Sequence, residues 1–212
     1  MLKLYYAPHT CALASHIALE EAGAKYETVR MSFQSEDQKK PGYVKINPKA
    51  RVPSLETDKG ILTETPAILA FVAQSFPASN LAPVGDPFAF ARAQAFNSYL
   101  CSTVHIAHAH RMRGYRWVDA GDEAAIKAMQ KKVPASVGEC FGHIEREMLA
   151  GPWVMGEAYT ICDAYLFTLA QWLEADGVVI SKIPRVIEHR ARVAARPAVK
   201  RAIEVETGGL EN

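Results

Sequence analysis

The hydrophobic periodicity of this chain changes once, near residue 80, and that change limits the folds open to it. Before it, short apolar runs of strand type alternate with amphipathic helical stretches; after it the signals are helical throughout. Residues 2–6 form a strand-like run of large side chains stopped by Pro8. Residues 11–22 place Leu13, Ala14, Ile17, Ala18 and Ala22 at helical spacing, and Gly23 supplies a C-terminal stop. A second strand is expected over 26–31, followed by a polar loop over 34–42. The runs 52–55 and 61–63 flank Asp58, Lys59 and Gly60 as a hairpin. Residues 66–76 then put Ile68, Leu69, Val72 and Phe76 on one helical face before Pro77. The order is β-α-β, loop, β-β-α.

Beyond residue 86 one stripe runs through Ala89, Ala93, Phe96, Leu100, Val104 and Ala107, the mark of a single long helix. A second stripe runs from Ile126 to Met148, with Pro134 expected to kink or divide it. Residues 161–173 are apolar almost all the way round, so that helix belongs at the centre of a helical domain. Pro184 and Pro197 each suit the first turn of a further short helix. The expected division is an α+β domain over 1–79, a linker over 80–86 and an all-α domain over 87–212.

Composition removes several functions. The chain has 212 residues, 49% of them hydrophobic and 22% charged, which suits a chain with a sizeable core. Basic and acidic residues number 24 and 23, so no overall field draws it to nucleic acid or to an anionic membrane. No run approaches the ~18 apolar residues of a membrane span, and the N-terminus lacks a signal-peptide core, so a cytoplasmic location is expected. The cysteines at 11, 101, 140 and 162 form no C-x-x-C and are expected as free thiols.

Three local devices carry chemistry. In Thr63-Glu64-Thr65-Pro66, Pro66 fits a first helical position and Thr65 its N-cap, leaving N–H groups turned outward beside a hydroxyl. Such an end receives a carboxylate, and Glu64 would hold an ammonium, together a receptor for an α-amino-acid head; an ordinary capped helix has the same pattern. In Pro8-His9-Thr10-Cys11, a thiol or hydroxyl at a helix start feels the positive end of the helix. Turning a thiol of pKa ~8.5 mostly into thiolate takes about two units, or roughly 2.7 kcal/mol, within reach of one or two such donors. Cys11 as a small packing residue is the alternative. In Arg51-Val52-Pro53 a cis proline before a strand edge would leave the Val52 backbone open to an extended ligand.

Tyr5-Tyr6-Ala7-Pro8 with Cys11 and Ser15-His16, then Asn47-Pro48 with Arg51-Val52-Pro53, then Leu62 through Ile68, resemble in this order a cytosolic glutathione S-transferase. Thr160-Ile161-Cys162-Asp163 resembles the capping box of that family's central helix, and the likeness runs from residue 2 to about 206. Cys11 in the first turn points to the bacterial beta class. The resemblance implies a thioredoxin-like N-terminal domain, an all-α C-terminal domain and a homodimer. It implies glutathione as co-substrate, with its γ-glutamyl end at Glu64 and Thr65 and its cysteinyl backbone along Arg51, Val52 and Pro53. The thiolate would be conjugated to a small, partly apolar electrophile or would reduce a peroxide. Cys11 is the first choice for the residue at the sulfur, with Thr10 its rival where related classes carry a serine.

His105 matches a beta-class histidine on the face of the long helix that borders the cleft, and it is assigned to catalysis. His108, Met112 and Tyr115, with Trp117 further on, are expected to line the electrophile subsite. Cys101, His105 and His108 nominally offer three metal ligands, but no fourth is evident and no metal is expected. The lysine that beta-class members carry after the second strand, for the glycine carboxylate of glutathione, is missing; Gln38, Lys39 and Lys40 are the substitutes at hand. Asp163 reads as a structural cap. Two other readings stay open: a thiol-disulfide oxidoreductase using Cys11, and a non-catalytic binding protein of the same fold. A maleylacetoacetate isomerase is disfavoured, because its serine-rich first turn is absent from residues 10–15.

Overall fold

A computed structural model describes residues 1–208. The N-terminal part runs β1 (Leu2–Tyr6), α1 (Ala12–Glu21), β2 (Tyr26–Arg30), α2 (Pro41–Val44), β3 (Ser54–Thr57), β4 (Gly60–Thr63) and α3 (Thr65–Ser75). The strands form one sheet in the order β2-β1-β3-β4. β1 pairs parallel to β2 with Leu4 opposite Thr28, and antiparallel to β3 with Leu4 opposite Leu55; β4 closes the hairpin. A parallel pair needs a crossover, which α1 provides. This is the thioredoxin-like arrangement expected.

The helical part comprises α4 (Pro87–Tyr99), α5 (His105–Arg113), α6 (Glu123–His143), α7 (Ile161–Ala170), α8 (Pro184–Ala194) and α9 (Pro197–Thr207). Leu100–Val104 is a π-helical turn joining α4 to α5, so the long helix is continuous but carries an insertion that periodicity did not reveal. The bound at residue 212 of the expected helical domain lies outside the described residues. No described helix is long and apolar enough to cross a membrane.

Several expectations shift. α6 passes through Pro134 without a break; one missing N–H is affordable in a helix of 21 residues held by buried Val133, Val137 and Phe141. The polar stretch expected as loop contains a 3-10 turn at Asp37–Lys39, and α2 starts at its end with Pro41 in the first turn. α3 starts one residue early: Glu64 is the N-cap, with φ 73°, and Thr65 is already helical. α7 is regular only to Ala170, after which turns lead through Asp176.

α1 is the central piece. Its eight residues from Ala12 to Leu19 are buried, because both sides of the helix are covered. Ala14 and Ala18 join Leu4, Leu55, Ile68 and Leu69 in the core between sheet and helices. Leu13 and Ile17 pack instead with Phe167, Val193 and Val199 of the helical part. His16 adds a polar tie: its Nδ1 lies 3.2 Å from Glu206 Oε1 on α9, both side chains buried. Tyr5 and Tyr6 serve structure, donating to Glu56 at 3.0 Å and to the Val205 carbonyl at 3.4 Å.

α7, against which α1 rests, is organised by Asp163. This fully buried carboxylate accepts from Thr160 N at 2.7 Å, Thr160 Oγ1 at 3.0 Å and Val154 N at 2.8 Å, and lies 2.8 Å from His189 Nε2. It caps its helix and ties the preceding loop and α8 to it. Asp163→Ala orphans these donors together and is expected to cost about 3 kcal/mol, or about 6–12 °C in Tm for a chain of this size. Calorimetry checks this, and a Tm within 2 °C of the parent would refute it.

Candidate functional site

Three backbone segments converge at the N-terminal edge of α1. The turn from β1 holds His9 at φ 60°, a conformation that costs a non-glycine residue about 1 kcal/mol or more. Thr10 follows, its hydroxyl donating to the Ala7 carbonyl at 2.7 Å and accepting from Ala12 N at 3.2 Å. A hydroxyl has one hydrogen, and here it is spent on the backbone. Thr10 therefore shapes the turn and has no proton left for a bound sulfur in this geometry.

Cys11 is the N-cap of α1, with its Sγ donating to the Val52 carbonyl at 3.7 Å. The sequence suggested a thiol lowered by the helix end. The structure reverses the sign: burial pushes the Cys11 thiol up to about 11, against the smaller opposing effect of the Thr65 hydroxyl beside it. The reason is magnitude. A helix terminus contributes about 0.3–1 kcal/mol, under one pKa unit, whereas burial moves a thiol by several. Cys11 is thus a neutral S–H near pH 7, able to donate a weak hydrogen bond.

The second segment reaches Cys11 from the strand side. The Val52–Pro53 bond is cis, and both residues are buried. Val52 N has no hydrogen-bond partner among the described residues, so one donor stands open beside the thiol. Arg51 is exposed and makes no ion pair among the described residues. Tyr43 and Asn47 hold the Arg51 carbonyl, each at 2.7 Å, and also bind Ser54, which locks this loop from beneath.

The third segment is the start of α3. Its first backbone bond runs from Ile68 N to the Glu64 carbonyl, leaving the N–H groups of Thr65 and Ala67 free. Thr65 is buried and Glu64 exposed. The Glu64 carboxylate is already engaged by Lys49 Nζ at 2.5 Å, and the same ammonium reaches Thr63 Oγ1 at 2.7 Å. Half-exposed pairs of this kind contribute about 0–1 kcal/mol, so an arriving ammonium can displace Lys49. Sequence reading missed Lys49; its place between Asn47 and Arg51 was the only signal. Positive φ at Ala50 (52°) and Glu64 (73°) gathers backbone strain on both sides of the site.

The helical part contributes the face of α4 and α5 through Cys101, His105 and His108. Burial, reinforced by the neighbouring His108 ring and by the charges of Arg113, Arg116 and Arg51, pulls His105 down to about 4, so it is a neutral imidazole at working pH. The influence of Arg51 on a residue of α5 places this face at the junction of the two parts. Arg113 lies over the Phe33 ring at 5.6 Å, spanning the same junction. His105 and His108 both contact Trp172, the latter stacked at 4.1 Å and 23°. Met112 and Tyr115 are largely exposed. Trp117 packs edge-on against His110.

Of the residues considered for the glycine carboxylate, Lys39 pairs with Glu36 and Lys40 with Asp37 at 2.6 Å. Arg51, Arg113 and Arg116 lie near one another and make no ion pair among the described residues, a positive field that sequence spacing did not bring together. Among the described residues no group of three or more His, Cys, Asp or Glu is placed to hold a metal ion. Cys140 is half-buried and Cys162 buried on α7, its Sγ 3.4 Å from the Ala93 carbonyl.

The site so built gathers open backbone donors, an acid and a thiol, with a neutral histidine on the helical side. Comparison with known proteins agrees. A family model for the glutathione S-transferase N-terminal domain matches residues 1–74, and one for the glutathione S-transferase C-terminal domain matches residues 110–205. The chain is 30% identical over 208 residues to glutathione S-transferase GstA of Escherichia coli O157:H7, covering 97% of this chain and 98% of that protein. A solved glutathione transferase homologue from Sulfitobacter, with bound glutathione, superposes with a TM-score of 0.92 at 40% identity, covering 99% of each chain. The bacterial beta-class enzyme of Sphingomonas chungbukensis gives 0.81 at 29% identity, covering 96% of this chain and 98% of that one. The chain belongs to the glutathione S-transferase family. Its likeness within that family is to the bacterial beta class.

The thiol geometry makes a direct prediction. Thiolate absorbance near 240 nm that disappears in Cys11→Ala is expected to titrate with a midpoint about 11 in the unliganded protein. A midpoint below 8 would contradict the burial of this side chain.

Proposed function

We propose that the protein binds reduced glutathione in the 1–79 part and conjugates its thiolate to a partly apolar electrophile, or uses it to reduce a peroxide, held against the 87–212 part. The observation that carries this reading is the meeting of open donors at Thr65, Ala67 and Val52 with Glu64 and the Cys11 thiol. The γ-glutamyl head carries an amine and a carboxylate on one carbon, which Glu64 and the α3 N-terminus complement. Val52 then receives the cysteinyl backbone, which brings the sulfur to Cys11. There the neutral S–H of Cys11, turned from its weak 3.7 Å bond to the Val52 carbonyl, and the neutral imidazole of His105 are hydrogen-bond donors that stabilise a thiolate. Arg51 and Arg113 supply the positive charge for the glycine carboxylate in place of the missing lysine. A homodimer in the cytoplasm accompanies this reading, through the family.

The state of Cys11 bears on the oxidoreductase alternative. With its thiol pushed up to about 11 by desolvation, Cys11 carries little thiolate at pH 7, which disfavours attack on a disulfide. Conjugation is therefore expected to exceed reduction of hydroxyethyl disulfide. Bound glutathione in the Sulfitobacter homologue supports glutathione as the ligand.

Retention on glutathione-agarose and turnover of 1-chloro-2,4-dinitrobenzene test the proposal together. The parent is expected to bind and turn over. Glu64→Ala, which removes a charge-assisted bond of about 1.5–3 kcal/mol, should raise KM for glutathione about tenfold or more while Tm holds. No binding at millimolar glutathione would reject the reading.

A further inference from the structure

The conjugation chemistry above uses Cys11 and His105 but leaves unexplained a buried acid placed behind the electrophile subsite. Asp176 lies in the turns after α7 and is 3% exposed. Its carboxylate oxygens stand 2.7 and 2.9 Å from His108 Nδ1, and one of them 3.1 Å from Arg111 Nε. A carboxylate only accepts, so Nδ1 of His108 carries the proton and the lone pair of the neutral ring is on Nε2. No protein group binds Nε2 among the described residues, and it is not among the buried unpartnered atoms, so it reaches solvent. The ring cannot turn away: Trp172 stacks on it at 4.1 Å, and its neighbour His105 is 6.3 Å off, centre to centre. The turn that carries Asp176 is equally fixed. Gly177 follows it at φ 74°, and a side chain there would meet Pro134 Cγ at 3.2 Å.

An oriented acid, an imidazole held in one tautomer and an open Nε2 make a proton-handling pair. Resting on the glutathione site proposed above, we infer that His108 is a catalytic acid-base residue, positioned by Asp176, for addition of glutathione to α,β-unsaturated carbonyl compounds. Nε2 takes the proton that leaves the glutathione thiol, directly or through water. The sulfur electron pair forms the C–S bond at the β-carbon, and the C=C pair moves onto the α-carbon and carbonyl as an enolate. The imidazolium then returns the proton to the α-carbon. The S–H bond and the π bond of the C=C are broken, one C–S and one C–H bond are formed, and no electron donor or acceptor is needed. An aryl halide, by contrast, expels halide and needs no returned proton, so it gains less from the pair. A purely structural pin between α5 and the α7 turns would serve both reactions alike.

That contrast sets the test. Steady-state rates are measured with trans-4-phenyl-3-buten-2-one and with 1-chloro-2,4-dinitrobenzene for the parent, His108→Asn and His108→Ala. Asparagine keeps a donor for Asp176 and so keeps the pin, while losing the proton carrier. Both variants lose packing in the subsite and slow on both substrates, but kcat for the enone is expected to fall about tenfold further than kcat for the aryl halide. KM for glutathione should stay within twofold, and added imidazole should restore part of the enone rate to His108→Ala. An equal fall on both substrates without imidazole rescue overturns the proposal and leaves His108 as a pin. A parent that conjugates the aryl halide but not the enone overturns it as well. A parent that fails to bind glutathione overturns the underlying site instead.

Discussion

The burial of α1 on both sides is the constraint on which the rest depends. A helix whose two faces belong to two different cores cannot shift along its axis without opening both. Leu13 and Ile17 fix it to the helical part while Ala14 and Ala18 fix it to the sheet. Its first residue is therefore held where Thr10 and Cys11 can meet Val52 and the start of α3. Asp163 supports this from behind, because it organises the end of α7 on which α1 rests. The edge at Thr10 and Cys11 inherits its placement from residues packed away from it.

Desolvation sets the chemistry of Cys11, one residue ahead of that buried run and itself only partly covered. Desolvation and helix-end electrostatics act on one sulfur with opposite sign, and desolvation is larger. The outcome is a protonated thiol, suited to stabilise a neighbouring thiolate and ill suited to be one. His105 is pushed by burial and surrounding positive charge in the complementary direction, toward the neutral ring. Cys11 and His105, both assigned to catalysis from the sequence, are thus both uncharged at working pH. The positive charge in the cleft comes instead from Arg51, Arg113 and Arg116.

The thioredoxin-like order of elements was legible because short strands, a proline-led helix and a hairpin each leave local marks. The helical part was legible for a similar reason, since the apolar character of 161–170 admits only a buried centre. The cap at Asp163 was also visible as a motif, whereas the sequence marked Pro53 only as a position where a cis bond would fit. What escaped depends on contacts between distant residues. The pairing of Lys49 with Glu64 joins two loops, and the grip of Asp176 on His108 spans 68 positions. Neither has a periodicity. The sign of the Cys11 shift escaped because sequence shows the helix start and hides the depth of burial. The π-turn at 100–104 escaped because one inserted residue barely disturbs a stripe already broad in small side chains.

A crystal structure of the protein with reduced glutathione bound tests the central placement most directly. The account predicts the γ-glutamyl carboxylate on the N–H groups of Thr65 and Ala67, its ammonium at Glu64 with Lys49 displaced, and the sulfur within hydrogen-bond reach of Cys11. A tripeptide seated elsewhere, or with its sulfur turned away from Cys11 and His105, would contradict it.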